Sequence, residues 1–556
     1  MNKINIGGVN HLSAKKPQNN KFTDLINKLS ELFENEKYLE VISLAEKSLK
    51  VYPNSYDLLF VIGNANYKIS NFQKSIDIYT NLIKHNPTDE HLHHNLGKAF
   101  LGLSKYAPAL SEFDKAILIN DKNDVFYLSK ALAFLDVYLH KDAIDNLKKS
   151  IKINPENAKA QILLGSIYTF LGLFEESIKV TEIALEKNPK NDQFILQLSN
   201  SYRFSGDKDR AISILEDGLR RNQNSIYLYF GLSLIKDLKG KRDLISNVKN
   251  ILKNNNLSDE FKSMLYFVLF RIENDNENFS DAFNYLLDSG KFRQSFLKYD
   301  KDKDDAMFND VKKTTKEILK FKANKVVGAP TPIFVIGMPR SGTKLTERIL
   351  SSHTNIEGLG ELPLMSFFAN GLVNGRTQPS QEMVEKIRDT YLSRVKSISK
   401  GAPFFVDKMP SNFIFLAVIK AAFPEAKIIH TIRDASAVCW SNFSNYLTKG
   451  HGYSFNIKDT VDYYLNYKNL MDFYLESNIE NIYNLDYESL VLNPEREIEK
   501  LLSYIGVDIE KECLDHRSGD RSITALYEQN QEKIYSGSKD QWKKYSSYLD
   551  DFFQRL

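Results

Sequence analysis

Residues 332–353 read PIFVIGMPRSGTKLTERILSSH, and this stretch decides the fold of the second half of the chain. The short run PIFVIG, rich in apolar and β-branched residues, predicts a buried strand, and from Thr343 the apolar residues recur at helical spacing. A strand, a glycine-rich loop and a helix in this order direct backbone N–H groups and a helix N-terminus at one point, which predicts an anion-binding site. The residues expected to hold the anion are Arg340, Ser341, Gly342, Thr343 and Lys344.

The order of residues in this loop distinguishes two kinds of anion chemistry. Nucleoside triphosphatases place a lysine and then a serine or threonine after the last loop glycine, so that the hydroxyl holds magnesium. Here Gly337 and Gly342 have the right separation, but Thr343 and Lys344 come in the opposite order, and no convincing second-strand aspartate for magnesium is found. The arrangement PRSGT instead resembles the 5'-phosphosulfate loop of sulfotransferases. This resemblance implies transfer of a sulfuryl group, which is less highly charged than a phosphoryl group, so that lysine and arginine suffice without a metal. A kinase is the alternative.

A second apolar run, AKIIHTIRD at residues 426–434, predicts another buried strand, which ends at Arg433 and leads into a helix. Ser441 follows Arg433 by eight residues, so a serine two turns into this helix can face the arginine at the strand end. A guanidinium and a hydroxyl together suit a second phosphate. Taken alone, Arg433 would more readily form a local ion pair with Asp434; in company with the first loop, the phosphate site is favoured.

These motifs, with the segment VIGMPRSGTKLTERILSSHTNIEGLGEL at residues 335–362, resemble the protein-tyrosine sulfotransferases and their bacterial relatives fused to tetratricopeptide repeats. The resemblance extends from Pro332 to about Leu549. It implies transfer of a sulfuryl group from 3'-phosphoadenosine-5'-phosphosulfate (PAPS) to an acceptor hydroxyl, with peptidyl tyrosine as the family's acceptor and no metal. It implies that the first loop holds the 5'-phosphosulfate and that Arg433 and Ser441 hold the 3'-phosphate.

The resemblance also implies which groups act on the transferred sulfuryl. Counting 21 residues from Arg340 reaches Glu361, which matches the family's catalytic base. Lys408, in FFVDKMPSNF, matches a lysine that stabilises the transition state, and Tyr487 matches a tyrosine that contacts the nucleotide. The expected catalytic residues are therefore Glu361, Lys408 and Arg340. Taken by itself, Glu361 could instead cap the helix that PLMSFF predicts.

Three positions depart from the family's pattern. Leu526 stands where the family has a nucleotide-contacting serine, Gln541 where it has a lysine and Asn445 where it has an arginine. Ser522 or Thr524 could substitute at the first of these positions. The departures support an alternative function, a catalytically inactive nucleotide-binding or repeat-mediated protein-interaction module. The complete set of candidate catalytic and phosphate-binding residues speaks against it.

The first half of the chain repeats with a period of 34 residues. Small, aromatic and helix-ending residues recur in one phase, as a stack of closely packed helix pairs requires. The pattern resembles the tetratricopeptide repeat, with about six units over residues 22–225 and a degenerate seventh that could extend to 259. The positions that end the units are Pro53, Pro87, Asp121, Pro155, Pro189 and Gln223, and the small residues of the first helices include Gly63, Gly97 and Gly165.

The concave surface of such a solenoid usually binds a protein segment. We therefore expect the repeats to bind an acceptor protein, peptide or glycan, or a separate partner. A spacer or a dimer contact fits the same pattern.

The sequence predicts four regions: a polar segment at 1–21, the repeats at 22–225, a helical connector at 226–325 and a sulfotransferase domain at 326–556. The expected fold is an α-solenoid followed by a P-loop-type α/β domain with a mainly parallel sheet, the nucleotide lying across the carboxyl ends of its strands. Within the connector, the charged run KYDKDKDDA at residues 298–306 predicts a solvated loop.

Composition narrows the functional classes. A net charge of +3 argues against binding to nucleic acid through bulk electrostatics. Two cysteines support neither a disulfide framework nor a cysteine metal site, and no apolar run reaches the roughly 20 residues of a membrane helix. The polar start does not resemble a secretory signal, so a cytoplasmic location is expected. The sequence leaves open whether the acceptor is tyrosine, a glycan, a lipid or a metabolite, and leaves open the oligomeric state.

Overall fold

The computed structural model describes residues 4–5, 10–11, 20–447, 450–477, 479–514 and 540–556. The backbone divides into two compact units, Met1–Ile167 and Tyr168–Leu556. Near the N-terminus, the short strands β1 (Ile4–Asn5) and β2 (Asn10–His11) pair antiparallel. Among the described residues, no helix combines the length and the apolar character that crossing a membrane requires.

Helix pairs occupy residues 20–221 and keep the 34-residue period that the sequence predicts. From the second pair onward, the first helices start at residues 56, 90, 124, 158 and 192, and the second helices at 72, 106, 140, 174 and 208. The predicted α-solenoid is thus confirmed. The helices are α1 (Asn20–Glu34), α2 (Tyr38–Leu49), α3 (Tyr56–Lys68), α4 (Phe72–His85), α5 (Glu90–Gly102), α6 (Tyr106–Ile119), α7 (Asp124–Asp136), α8 (His140–Ile153), α9 (Ala158–Phe170), α10 (Phe174–Lys187), α11 (Asp192–Phe204) and α12 (Lys208–Arg221).

The small residues of the repeat allow the two helices of a pair to approach closely. A Cβ atom on Gly63 would lie 2.7 Å from the ring of Tyr79, and one on Gly97 would lie 2.7 Å from the ring of Phe113. The hydroxyl of Ser75 also donates to the carbonyl of Gly63 at 2.9 Å. The glycine in the first helix and the aromatic ring in the second therefore form one packing unit, since any larger residue would push the helices apart.

Five helices follow the solenoid, and three of them pack against the second half of the chain. Phe267 and Phe283, from α15 and α16, share an apolar cluster with Trp440, Phe443 and Tyr545. Helices of the predicted connector therefore contribute to the same core as the α/β domain. These helices are α13 (Ile226–Ile235), α14 (Asp243–Leu252), α15 (Asp259–Asp275), α16 (Phe279–Leu297) and α17 (Lys301–Ile318).

The charged run at residues 298–306 is not the solvated loop that the sequence predicts, because α17 begins within it. Asp300 caps this helix by accepting the backbone N–H of Asp302 at 3.2 Å. Acidic side chains in the first turn also interact favourably with the helix dipole. The hydroxyl of Tyr299 donates to Asp304 at 2.8 Å, so part of the run is packed rather than solvated.

The α/β domain is built on a parallel sheet of five strands in the order β4-β5-β3-β6-β7. The strands are β3 (Thr331–Gly337), β4 (Ile356–Gly358), β5 (Phe404–Asp407), β6 (Lys427–Ile432) and β7 (Ile482–Asp486). The central strand β3 is buried along almost its whole length, as its apolar sequence predicts. The predicted mainly parallel sheet is confirmed.

Helices and 3-10 turns cover the sheet and complete the domain. The α-helices are α18 (Thr343–Ser351), α19 (Leu364–Val373), α20 (Gln381–Ile398), α21 (Leu416–Ala422), α22 (Ala435–Phe443), α23 (Ile457–Glu476), α24 (Tyr487–Leu492), α25 (Pro494–Ile505), α26 (Lys511–Leu514) and α27 (Ser546–Phe553), and the 3-10 helices are Pro410–Phe415, Gly452–Phe455 and Gln541–Tyr545.

Candidate active site

Apart from Ser441, the predicted site residues lie just beyond the carboxyl ends of the five parallel strands. The phosphate loop follows β3, Glu361 follows β4, Lys408 follows β5, Arg433 follows β6 and Tyr487 follows β7. Ser441 lies in α22, the helix that leads away from β6. Because the carboxyl ends of parallel strands meet at one edge of the sheet, the topology gathers residues that are distant in sequence.

Backbone geometry fixes the phosphate loop between β3 and α18. Arg340 and Gly342 have φ values of +72° and +107°, and α18 starts directly after the loop at Thr343. A Cβ atom on Gly342 would lie 2.5 Å from Cδ2 of Tyr487, so only glycine fits there. The loop therefore approaches the end of β7 closely while the N-terminus of α18 points at the anion site.

Two side-chain contacts hold the loop from β6 and α22. The hydroxyls of Ser341 and Thr431 are hydrogen-bonded at 2.6 Å. The side-chain amide of Asn442 donates to the carbonyl of Pro339 at 2.8 Å. Thr343 is buried and Lys344 is half-buried in the first turn of α18. The loop is thus anchored through its side chains and its backbone.

The two proposed phosphate sites are joined by direct contacts. Nε of Arg340 donates to Oγ of Ser441 at 3.0 Å, and Nη1 of Arg433 donates to the carbonyl of Arg340 at 2.9 Å. The guanidinium of Arg433 also lies 4.8 Å from the centre of the Tyr487 ring. Asp434 caps α22 by accepting the backbone N–H of Ala437 at 2.7 Å. Arg433 therefore touches the backbone of the phosphate loop directly.

Glu361 and Lys408 form a contact pair beside the loop. Nζ of Lys408 lies 2.5 Å from Oε1 of Glu361. The lysine side chain is only 4% exposed, whereas that of the glutamate is 49% exposed. The helix α19 begins at Leu364 after Pro363, without a side-chain cap, so Glu361 does not cap it. The carboxylate is thus open to a solvent-side ligand while the ammonium approaches it from the protein interior.

Two buried carboxyl groups that the sequence analysis did not single out also lie here. Asp407 accepts hydrogen bonds from the hydroxyl of Tyr391 at 2.7 Å, the amide of Asn412 at 3.1 Å and the backbone N–H of Leu362 at 3.3 Å. Its burial raises the pKa to about 7, and the nearby charge of Glu347 adds to that shift. Asp407 directly precedes Lys408 at a strand end, which is the signal that could have identified it.

Glu347, in the middle of α18, is fully buried. Its Oε1 accepts the backbone N–H of Gly360 at 2.8 Å, and its Oε2 lies 4.0 Å from Nζ of Lys408. The sequence did contain a signal for Glu347: it is an acidic residue in a helix that is otherwise expected to pack on the sheet. The carboxyl groups of Glu347 and Asp407 therefore accept the backbone N–H groups of Gly360 and Leu362, the neighbours of Glu361 in the chain.

Two of the three positions that depart from the family's pattern, Asn445 and Gln541, lie in the described part of the chain. The side-chain amide of Asn445 donates to the carbonyl of Ser441 at 2.7 Å, so it stabilises the end of α22. Gln541 begins the 3-10 helix Gln541–Tyr545. Leu526 lies outside the described residues, as do Ser522 and Thr524. Among the residues that the structure does describe, no group of three or more histidine, cysteine or acidic side chains could hold a metal ion.

Comparison with known proteins finds a family match and two relatives, each over part of the chain. Residues 332–511 match the Sulfotransferase family. An uncharacterised protein of Aquifex aeolicus is 27% identical over 342 residues, which are 58% of this chain and 45% of that protein. A putative protein-tyrosine sulfotransferase of Caenorhabditis briggsae is 26% identical over 196 residues, which are 33% of this chain and 68% of that protein. The chain thus spans less than half the length of the Aquifex relative.

Solved structures overlap with part of this chain. The structure of MamA is 21% identical to this chain with a TM-score of 0.27. The match covers 29% of this chain and 95% of the MamA chain. YrrB, a TPR protein with an unusual peptide-binding site, is 12% identical with a TM-score of 0.28. The match covers 33% of this chain and 95% of the YrrB chain. A tetratricopeptide repeat protein from Parabacteroides merdae is 14% identical with a TM-score of 0.35 and covers 45% and 99%.

Proposed function

From the sulfotransferase-family domain at residues 332–511, we propose that this chain transfers a sulfuryl group from PAPS to an acceptor hydroxyl. One observation carries the proposal: Ser441, Arg340 and Arg433 form a continuous set of contacts between the phosphate loop and the end of β6. A donor with a phosphosulfate at one end of its ribose and a phosphate at the other needs two linked anion sites. The hydrogen-bond donors and cations of this edge fit that requirement.

Different groups bind the two ends of the nucleotide. The backbone N–H groups at the start of α18, with Ser341, Thr343 and Lys344, hold the 5'-phosphosulfate. Arg433 and Ser441 hold the 3'-phosphate. The face of Tyr487 lies against the Arg433 guanidinium and keeps it oriented, since cations over aromatic rings are stabilised.

The Glu361–Lys408 pair supplies the proton transfer and the charge stabilisation. When bound, PAPS supplies a sulfuryl group on a phosphate leaving group. Glu361 accepts the proton of the acceptor hydroxyl, and the oxygen of that hydroxyl becomes the nucleophile that attacks the sulfur. Lys408 and Arg340 offset the negative charge that develops on the leaving side. The exposed position of Glu361 suits this role because the acceptor must reach it from solvent.

For the acceptor we propose a tyrosine side chain in a protein or peptide. The match to a putative protein-tyrosine sulfotransferase supports this choice, and so does the helical-repeat solenoid, a fold that commonly binds protein segments. A glycan, lipid or small-metabolite hydroxyl is the alternative that an acceptor screen would reveal. The cytoplasmic location stays a prediction.

The test is a transfer assay with radiolabelled PAPS and a panel of tyrosine peptides, glycans and lipids, comparing wild type with Glu361→Gln. Because a positioned general base contributes about 10²- to 10⁴-fold, the variant should lose at least that much turnover. Its affinity for the product nucleotide, 3'-phosphoadenosine-5'-phosphate, should stay near that of wild type, since Glu361 is placed on the acceptor side.

A suitable control is Glu357→Gln, four residues earlier, because Glu357 contacts the turn at Ser399 rather than Lys408. This variant should keep wild-type turnover. Full activity of the Glu361 variant would remove the base assignment. Nucleotide binding without transfer to any acceptor would favour the inactive nucleotide-binding module.

A further inference from the structure

We propose that Glu347 is a positioning residue for Glu361, a role that rests on the proposed function. Glu361 itself lies at a turn after β4, where its half-exposed side chain pairs with Lys408. The peptide groups on either side of it are, however, anchored to buried carboxyl groups. These anchors fix the turn from which the base projects.

The anchors act on the residues immediately before and after Glu361. Glu347 accepts the backbone N–H of Gly360 at 2.8 Å, and the carbonyl of Gly360 accepts the backbone N–H of Lys408 at 2.9 Å. Asp407 accepts the backbone N–H of Leu362 at 3.3 Å. Gly360 has a φ of +75°, so its peptide bends the chain into this position. The backbone of the turn is therefore held to α18 on one side and to β5 on the other.

The burial of Glu347 indicates that its carboxylate has a specific task. A fully buried carboxylate loses its hydration, which is costly unless hydrogen bonds and nearby positive charge compensate. Here the Gly360 N–H and Lys408, whose Nζ lies 4.0 Å from Oε2, both contribute to that compensation. Both partners belong to the pair formed by Glu361 and Lys408 or adjoin it. The energetic cost is thus linked to the geometry of the site.

The location of Glu347 on α18 connects this anchor to the proposed anion site. The N-terminus of α18 forms the anion site, and Glu347 lies one turn further along the same helix. One rigid helix therefore sets the position of the donor's sulfur-bearing end and, through Gly360, the position of the base. Displacement of a catalytic group by about 1 Å can cost about 10²-fold in rate, so this shared support should affect turnover.

The test compares Glu347→Ala with Glu347→Gln in the full-length chain. The amide oxygen of glutamine can still accept the Gly360 N–H, whereas alanine cannot. We expect Glu347→Ala to lower kcat by about 10- to 100-fold while the acceptor KM and the affinity for 3'-phosphoadenosine-5'-phosphate change less than about threefold. Glu347→Gln should retain at least about a third of the wild-type kcat. Ser351→Ala, a buried substitution at the far end of the same helix, should behave like wild type.

Hydrogen exchange of peptides covering residues 356–363 gives a readout that does not depend on activity. Exchange at Gly360 should be faster in Glu347→Ala and close to wild type in Glu347→Gln. An unchanged kcat in the alanine variant, or an equal loss in both variants, would overturn the positioning role. If wild type shows no transfer at all, the proposed function fails, and unaltered exchange in the alanine variant would separately refute the anchor.

Discussion

At the scale of the single residue, Asp407 is a carboxyl group whose protonation depends on the fold. It is fully buried, and three donors surround it. Burial raises its pKa to about 7, so the folded protein holds a proton that the unfolded chain releases near pH 4. Because the folded state binds more protons between these values, the contribution of Asp407 to stability falls as pH rises towards 7 and levels off above it.

This linkage predicts the behaviour of Asp407→Asn. The asparagine does not titrate, so the free energy of unfolding of the variant, relative to wild type, should increase as pH rises from 5 to 7. The slope should be on the order of 1 kcal/mol per pH unit. Urea unfolding of both proteins at pH 5, 6, 7 and 8 measures it. A stability difference that is independent of pH would show that Asp407 is ionised throughout this range.

Individual residues also show what the sequence could and could not predict. The residue types and spacing predicted that Arg340, Arg433 and Ser441 serve one ligand. They did not predict that Arg340 donates to Ser441 or that Arg433 donates to the carbonyl of Arg340. Such contacts depend on the pairing of β3 with β6, which joins residues about a hundred positions apart. Glu347 was missed because an acidic residue in a helix ordinarily faces solvent.

At the scale of the element, α16 supports the segment that follows α22. The guanidinium of Arg293 lies between the rings of Tyr446 and Phe455, 3.9 Å and 4.1 Å from their centres. A Cβ atom on Gly290 would lie only 2.0 Å from the carbonyl oxygen of Phe455. The side-chain amide of Gln294 donates to Asp459 at 3.0 Å. This helix therefore packs tightly along the 3-10 helix Gly452–Phe455 and the start of α23.

We accordingly expect Gly290→Ala to destabilise the protein. Alanine favours a helix over glycine by up to about 1 kcal/mol, but a Cβ atom this close to a carbonyl oxygen forces the two elements apart at a cost of about 1–3 kcal/mol. The unfolding midpoint should therefore fall. Lys291→Ala, at the exposed neighbouring position, is the matched control and should leave the midpoint unchanged. An increase in the midpoint of the glycine variant would contradict the close contact.

Elements with a regular period were predictable, and those that depend on a local cap were not. The 34-residue repeat and the β-branched runs identified the solenoid helices and the central strands, because the spacing of apolar residues in the sequence follows the burial pattern of these elements. The charged run at residues 298–306 suggested a loop, yet Asp300 caps α17 within it. Charge alone did not reveal that most of the run, from Lys301 onward, belongs to α17.

At the scale of the whole molecule, the second unit owes part of its core to helices that precede the sheet. Phe308 and Val311 of α17 belong to the main cluster that also contains Phe334 of β3. The aromatic residues of α15 and α16 cover Trp440 of α22. The sequence placed a domain boundary near residue 326, and this boundary stays a prediction. A cut at this boundary would, however, expose the apolar residues of this shared core.

Two fragments test this dependence. A fragment of residues 172–556 keeps every contact described for the nucleotide site and should bind 3'-phosphoadenosine-5'-phosphate with the affinity of the full chain. A fragment of residues 326–556 exposes the aromatic cluster around Trp440 and should aggregate, because large exposed apolar patches promote association. Size-exclusion chromatography and calorimetry distinguish these results. Wild-type affinity in the shorter fragment would mean that the preceding helices are dispensable.

The central claim is that the two joined anion sites bind the two phosphate-bearing ends of one nucleotide. Calorimetric titration with 3'-phosphoadenosine-5'-phosphate, with ATP and magnesium run alongside, tests it most directly. We predict tight binding of the bisphosphate in preference to ATP with magnesium, and a loss of about 10- to 100-fold in affinity for Arg433→Ala, since hydrogen bonds to charged groups contribute about 1.5–3 kcal/mol. Absent binding, or a preference for ATP with magnesium, would contradict the claim and favour a kinase or an inactive module.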